Sequence, residues 1–122
     1  MKTKIILLFL ILFGVSLFST AQLTGKKFKL SMEQMGTFYL EFKEGIYELT
    51  NPVGDVAVKG TYEIKENIIQ FVDKEGQMAC PENQVGKYKF TLNNHELKME
   101  LIEDSCTGRP NMAAKSWQLM EK

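Results

Sequence analysis

The chain contains 122 residues, of which 44% are hydrophobic, and its 15 basic side chains balance its 15 acidic ones. This length predicts a single domain. The lysines alternate with glutamates and form no basic stripe, which argues against nucleic acid as a partner.

The first 21 residues predict a secretory signal peptide. Lys2 and Lys4 precede an apolar run over residues 5–18, and small residues follow up to Ala21. The run is shorter than the roughly 20 apolar residues that cross a membrane, and its ending suits a signal peptidase. We therefore expect cleavage after Ala21 and a mature domain over residues 22–122 with a net charge of about −2.

The predicted mature N-terminus bears on localisation. A bacterial lipoprotein begins with a cysteine that carries the lipid, whereas the first residue here would be Gln22, which can cyclise and block its own amine. The sequence therefore predicts a secreted or periplasmic protein with no membrane anchor after cleavage.

From residue 37 onward, apolar and polar residues alternate with a period of two, as in Phe38, Leu40 and Phe42, which indicates half-buried strands. The predicted strands span residues 27–30, 37–42, 46–50, 56–64, 68–73, 85–92, 96–103 and 116–120. The short polar turns between most of them join antiparallel neighbours. Eight sequential strands with one apolar face close into a barrel or fold into a sandwich, and the succession of hairpins favours the barrel.

The alternation also predicts the interior of the barrel. The inward residues that form the predicted core are Phe38, Leu40, Phe42, Val58, Tyr62, Phe90, Met99 and Trp117, and the same pattern extends to Val56 and Leu101. These side chains either fill the barrel or line a cavity. Of the eight predicted core residues, all except Val58 are therefore candidate ligand-binding residues. Met32, Met35 and Met99 are more typical of core filling than of a Cu(I) site.

The two cysteines, Cys80 and Cys106, predict a disulfide, because an exported small domain with an even cysteine count is typically bridged. A zinc site lacks a second pair of ligands, since His95 is the only histidine. A redox-active pair is more often spaced Cys-x-x-Cys. Closing this loop is expected to stabilise the fold by about 3–4 kcal/mol.

A weak internal repeat places the cysteines at one end of the barrel. Gly60–Ile64 recurs as Gly86–Phe90, and each copy is followed by a second strand and then by a cysteine. One connection, residues 105–115, is too long for a simple turn. Its helix formers after Pro110 predict one helical turn that forms a flap or plug over the disulfide.

Two loop residues, Arg109 and His95, carry groups that functional sites often use. Arg109 could anchor an anion through its guanidinium, but the turn favours a structural clasp, either by pairing with Asp104 or Glu103 or by stacking on an aromatic ring. His95 follows two asparagines and is predicted to be an exposed turn residue. No nucleophile, phosphate-loop or metal motif is present in the sequence, so we expect no catalytic residue, cofactor or metal.

Several segments together resemble the small bacterial lipocalin-like proteins of the calycin type. They are Gly60–Ile64, Ala79–Pro81, Gly86–Phe90, Leu97–Leu101, Asp104–Arg109 and Trp117, about half of the mature chain. Lipocalins usually begin with Gly-x-Trp, whereas here Gly25 is followed by two lysines and Phe28, which could replace the tryptophan as a barrel plug. The resemblance implies a small calycin-like barrel and, more weakly, a ligand.

These observations lead to one expected function and one alternative from another class. We expect a secreted, non-catalytic barrel that binds a small apolar or amphipathic ligand, because an eight-stranded barrel can hold one. The alternative is an interaction protein or inhibitor of the cell envelope that acts through its loops on an unknown protein partner. The blocked amine of Gln22 argues against inhibition through a free N-terminus.

Overall fold

A computed structural model describes residues 20–120, which form a single all-β unit with one short helix. Its elements are β1 (Lys27–Met32), β2 (Gly36–Phe42), β3 (Ile46–Thr50), β4 (Val56–Lys65), β5 (Ile68–Glu75), β6 (Gly86–Leu92), β7 (Glu96–Asp104), α1 (Arg109–Ala113) and β8 (Trp117–Leu119). The predicted signal peptide falls mostly on residues 1–19, outside the described range. In the described part, no helix is long and apolar enough to cross a membrane.

The strands form a closed antiparallel barrel. Each strand pairs with the next, and β8 returns to β1 through the pairs Leu119 with Phe28 and Gln118 with Lys29. The barrel predicted from the hairpin succession is confirmed, and the sandwich is not formed. Closure pairs the strand edges that a sandwich of the same hairpins would leave open.

The barrel interior is a continuous apolar core, and the predicted inward set lies in it. Every member is at most 5% exposed: Phe38, Leu40, Phe42, Val58, Tyr62, Phe90, Met99 and Trp117. Burying one large apolar side chain contributes about 1.5–3 kcal/mol. The two-residue period therefore identifies the core correctly in the middle of the strands.

The period fails at two positions near strand ends. Val56 and Leu101 follow the inward pattern in the sequence but are 47% and 48% exposed. Val56 lies beside a register shift between β3 and β4, and Leu101 beside another between β6 and β7. A bulge of this kind interrupts the alternation of faces. The prediction that these two side chains point inward is therefore wrong.

The barrel has two ends with different connections. The N-terminal end comprises the segment 20–26 and the turns 43–45, 66–67 and 93–95, and the disulfide end comprises the turns 33–35 and 51–55 and the connections 76–85 and 105–116. The sequence predicted only one long connection, at 105–115. The segment 76–85 is a second one, and it carries Cys80.

The N-terminal end is plugged by side chains. Leu23 is fully buried, and the amide of Gly25 donates a hydrogen bond to the carbonyl of Phe42 at 2.8 Å. The Phe42 ring makes edge-to-face contacts with Phe28 and Tyr62, at centroid distances of 5.9 and 5.0 Å. Phe28, which the sequence suggested as a barrel plug, is fully buried within this cluster.

Candidate ligand-binding site

The two hairpins β4–β5 and β6–β7 each place a glycine opposite an aspartate at the disulfide end. Gly60 of β4 lies opposite Asp73 of β5, and Gly86 of β6 lies opposite Asp104 of β7. A Cβ atom at Gly86 would come within 2.5 Å of Asp104 Oδ2, and one at Gly60 within 2.2 Å of the Val72 carbonyl oxygen. The backbone of the facing strand leaves no room for a Cβ atom at Gly60, and the Asp104 and Arg109 side chains occupy the corresponding space at Gly86.

Each of these aspartates is held by the backbone of a disulfide cysteine. The Cys80 amide donates to Asp73 Oδ2 at 2.8 Å, and the Cys106 amide donates to Asp104 Oδ1 at 3.0 Å. The predicted disulfide between Cys80 and Cys106 is confirmed, with their Cα atoms 6.0 Å apart. The covalent bond thus fixes both carboxyl groups relative to each other.

Each aspartate also receives a hydrogen bond from a buried tyrosine. The Tyr47 hydroxyl donates to Asp73 Oδ1, and the Tyr88 hydroxyl donates to Asp104 Oδ2 at 2.5 Å. Burial, reinforced by the adjacent carboxyl group, raises the pKa of Tyr47 and the pKa of Tyr88 above the ordinary value. Both phenols therefore stay protonated and act as donors.

Arg109, at the start of α1, bridges the two aspartates. Its Nε and Nη2 atoms donate to the two carboxyl oxygens of Asp104 at 2.7 and 2.9 Å, and Nη2 also donates to the Gln84 carbonyl. Its Nη1 atom lies 3.0 Å from Asp73 Oδ1. We call the set Tyr47, Asp73, Tyr88, Asp104 and Arg109 the Asp–Arg cluster.

The charges of the cluster stabilise each other. Burial alone would raise the pKa of Asp104, but hydrogen bonds from Arg109, Tyr88 and the Cys106 amide outweigh it, so the pKa lies below its ordinary value. Burial would likewise lower the pKa of Arg109, but the hydrogen bonds to Asp104 and the charge of Asp73 raise it. The guanidinium and the Asp104 carboxylate are thus both ionised.

The predicted pairing of Arg109 with an acidic neighbour is present, and the partner is Asp104 rather than Glu103. The Arg109 side chain is only 9% exposed. Because two of its nitrogens already bind Asp104, a bidentate contact with a ligand anion is not open to it. The geometry therefore favours the structural clasp over the anion anchor.

An apolar cavity of about 140 Å³ lies beside the Asp–Arg cluster. Its apolar wall consists of Leu40, Leu49, Val58, Phe71, Met78, Met99, Met112, Ala113 and Trp117, and the disulfide, Gly108, Tyr47, Asp73 and Arg109 complete it. An engineered protein cavity of about this size, lined by apolar side chains, accommodates benzene or xenon. The cavity is therefore large enough for a ligand of about seven non-hydrogen atoms.

Helix α1 closes one side of the cavity. Pro110 occupies its first turn, where a missing amide hydrogen costs nothing. Ala113 is buried, and the Met112 carbonyl accepts a hydrogen bond from Trp117 Nε1 at 3.2 Å. The flap predicted after Pro110 is present and contributes Met112 and Ala113 to the cavity wall.

The structure divides the sequence-predicted ligand residues into two groups. Leu40, Met99, Arg109 and Trp117 line the cavity, and the other four, Phe38, Phe42, Tyr62 and Phe90, are buried in the core outside it. Phe42 and Tyr62 belong to the plug of the opposite end. The cavity is thus confined to one part of the barrel interior.

Sequence reasoning missed Asp73, Tyr47 and Met78, which all line the cavity. A signal for Asp73 exists, because it continues the inward alternation of Ile69 and Phe71 although it is acidic. An acidic residue on a buried face indicates a partnered, and often functional, carboxyl group.

Other candidate residues lie away from the cavity. His95 is exposed in the turn before β7, and its amide donates to Asn93 Oδ1 at 2.8 Å. Neither Met32 nor Met35 lines the cavity. Residues 20–120 contain no group of three histidine, cysteine or acidic side chains placed to hold a metal ion.

Comparison of the chain with protein-family models, curated proteins and solved structures gave no significant match. What the chain shares with lipocalin-like proteins is therefore its architecture, an eight-stranded antiparallel barrel closed between its first and last strands.

Proposed function

We propose that this chain is an exported, non-catalytic, lipocalin-like barrel of the calycin type that binds a small apolar or amphipathic molecule at its disulfide end. The observation that carries the proposal is the cavity of about 140 Å³ with a mostly apolar wall. An empty cavity of this volume lowers the free energy of unfolding by about 3 kcal/mol relative to a filled core. An apolar ligand of matching size would recover that contribution on binding.

The cavity volume limits the size of the ligand. A benzene-sized body fills about 140 Å³, whereas a long-chain fatty acid or a retinoid is several times larger. Such a ligand would have to displace α1, which the Arg109 ion pairs and the Trp117 hydrogen bond hold in place, or extend out of the cavity past the exposed Met78. We therefore assign the site to molecules of about six to nine non-hydrogen atoms.

Two features support an exported protein. The Cys80–Cys106 disulfide is typical of oxidising compartments, and the first 21 residues have the pattern of a signal peptide. The mature domain over residues 22–122 would then be secreted or periplasmic.

Trp117 provides the test, because it is the single tryptophan of the chain and lines the cavity. Titration of the folded protein with toluene should change the Trp117 emission saturably at submillimolar concentration. Dodecanoate and retinol should produce a much weaker change, since they exceed the cavity volume. A Trp117 emission that is unchanged by toluene but changes with retinol would contradict the proposal.

A matched pair of variants shows whether toluene occupies the cavity. Ala113 lines the cavity, whereas the next residue, Ala114, is exposed. Ala113→Leu should abolish the response by filling the space, and Ala114→Leu should leave it unchanged. Equal responses in the two variants would place the ligand elsewhere.

A second candidate function, an interaction protein or inhibitor of the cell envelope, is favoured by exposed apolar residues at the disulfide end. Met35, Val53 and Met78 are 54%, 80% and 45% exposed. A photoreactive residue at position 53 should then cross-link one envelope protein, and the same residue at exposed Glu63 should not. The burial of Leu23 argues against a version in which the N-terminal arm inserts into a protease.

A further inference from the structure

The cavity wall is rich in sulfur. Residues 20–120 contain six methionines and two cysteines, and five of these eight residues line the cavity: Met78, Cys80, Met99, Cys106 and Met112. Only 15 residues form the whole wall, so the sulfur atoms of the described chain are concentrated around this one space. Thioether sulfur is polarisable and makes favourable contacts with aromatic rings, often at the ring edge.

Three aromatic side chains, Tyr47, Phe71 and Trp117, also line the cavity. Tyr47 and Phe71 already form an edge-to-face pair with their centroids 4.9 Å apart, an arrangement in which rings attract each other by more than their buried area accounts for. The aromatic and methionine groups come from β3, β5, β7, β8 and α1, so they surround the space from different directions. An aromatic ligand would gain from these contacts, whereas a saturated one would gain from burial alone.

The polar groups of the wall are paired with one another. Arg109 Nη1 lies 3.0 Å from Asp73 Oδ1, and the Tyr47 hydroxyl donates to the same carboxyl group. Trp117 Nε1 donates to the Met112 carbonyl at 3.2 Å. Because these groups already have partners, a ligand is distinguished mainly by its carbon skeleton, through its shape and its polarisability.

We propose that the cavity selects molecules built on one aromatic ring, such as benzene with one small substituent, over saturated rings of the same size. This inference rests on the proposed function and adds the chemical class of the ligand. The ring contacts Met99, Met112 and Trp117. A substituent can extend toward Met78, which lines the cavity and is 45% exposed.

Toluene and cyclohexane, two probes of similar volume, test this selection. Cyclohexane is the less soluble of the two in water, so transfer into a purely hydrophobic cavity would favour it. Protein labelled with ¹³C at the methionine methyl groups reports binding through Met78, Met99 and Met112, which line the cavity. Met32 and Met35 lie outside the cavity wall and serve as internal controls.

Toluene should bind about tenfold more tightly than cyclohexane, since two or three contacts of a ring with sulfur or with another ring outweigh the hydrophobic advantage of cyclohexane. Both probes should shift Met99 and Met112 saturably and leave Met32 and Met35 unchanged. Equal affinities, or tighter binding of cyclohexane, would overturn the inference and leave the proposed function intact. Failure of both probes to shift Met99 or Met112 would contradict the inference and the proposed function together.

Met112→Leu provides an independent readout of the sulfur contacts. The substitution nearly conserves side-chain volume and keeps the backbone carbonyl that accepts from Trp117. The affinity for toluene should fall about threefold, the effect of one sulfur–ring contact, and the affinity for cyclohexane should stay the same. Met35→Leu, at an exposed position outside the cavity, should change neither affinity. Native dispersion of the remaining methyl signals checks folding, and a folded Met112→Leu variant with the wild-type affinity ratio would contradict the role given to sulfur.

Discussion

The two ends of the barrel are closed in different ways. At the N-terminal end, Leu23 is fully buried and a cluster of aromatic rings fills the interior up to the turns. At the disulfide end, the closing groups are a helix, a disulfide and the Asp–Arg cluster, and a cavity of about 140 Å³ remains beneath them. The first end is closed by side-chain packing, and the second is closed by polar and covalent bonds that leave a cavity beneath them.

This difference shows what the buried charges do for the structure. Apolar side chains at a barrel end pack until little space remains. The Asp–Arg cluster instead fixes α1 and both long connections through directional bonds of 2.5–3.0 Å, so the space under α1 persists without being filled. The structural clasp and the ligand cavity are therefore parts of the same arrangement.

The largest effect should follow from breaking the clasp. Arg109→Met leaves Asp104 buried without its counter-charge, which costs about 3–5 kcal/mol. Tm should fall by at least about 12 °C, at roughly 4 °C or more per kcal/mol for a domain of this size. Thermal unfolding followed by circular dichroism measures the shift.

The control is a second ion pair at the same end. Lys74 and Glu82 are 3.3 Å apart but 47% and 63% exposed. Lys74→Met should cost less than about 1 kcal/mol, because exposed pairs contribute little. Similar losses of stability in the two variants would mean that the buried ion pairs of the Asp–Arg cluster contribute no more than an exposed pair.

The disulfide should contribute nearly as much. Thiol titration of the denatured, unreduced protein should detect no free thiol, and Cys80→Ala with Cys106→Ala should cost about 3–4 kcal/mol. Hydrogen exchange should accelerate at residues 76–85 and 105–116. The Gly25 amide, bonded to Phe42 at the other end, should keep its protection. Equally accelerated hydrogen exchange at both barrel ends would contradict the view that the two ends are stabilised independently.

Removal of the plug should have a somewhat smaller effect. Leu23→Ala is expected to cost about 2–3 kcal/mol, the lower part of the range for buried leucines, because the terminal segment can partly collapse into the space. Gln22→Ala, at an exposed neighbour, should be nearly neutral. Toluene binding at the disulfide end should be unchanged in both variants. Weaker toluene binding in Leu23→Ala would show that the two ends are coupled.

The smallest effect concerns pH. The pKa of Asp104 is lowered in the folded state, so its contribution to stability is complete above the pKa of an unfolded aspartate, about 3.9. That contribution is lost as the pH falls through the lowered folded-state pKa. The Tm difference between the wild type and Asp104→Asn should therefore shrink from pH 6 to pH 2, about the range in which aspartates titrate. A constant difference would contradict the role of ionised Asp104.

The strand pattern made the core predictable, but it did not predict the burial of Leu23 at the N-terminal end. Alternation placed Phe42, Tyr62 and Phe90 inside, and short turns fixed the antiparallel order. It failed at Val56 and Leu101, because a bulge depends on how two strands pair and leaves no mark in the period of one strand.

The disulfide end was predicted only in part. The cysteines, the pairing of Arg109 and the helix after Pro110 followed from residue types. The role of Asp73 did not, because its contact with Arg109 spans two connections that only the closed barrel brings together. The cavity itself depends on how well side chains fill space, which composition does not determine.

Crystals of the protein under xenon pressure test the central claim most directly, namely that the barrel has an accessible apolar cavity at the disulfide end and a filled interior between Leu23 and Phe42. Xenon binds dry apolar cavities of about this volume. The account predicts one anomalous peak in contact with Met99 and Trp117, within about 4.5 Å of their side chains, and none between Leu23 and Phe42. No peak beside Met99, or a peak inside the N-terminal plug, would contradict it.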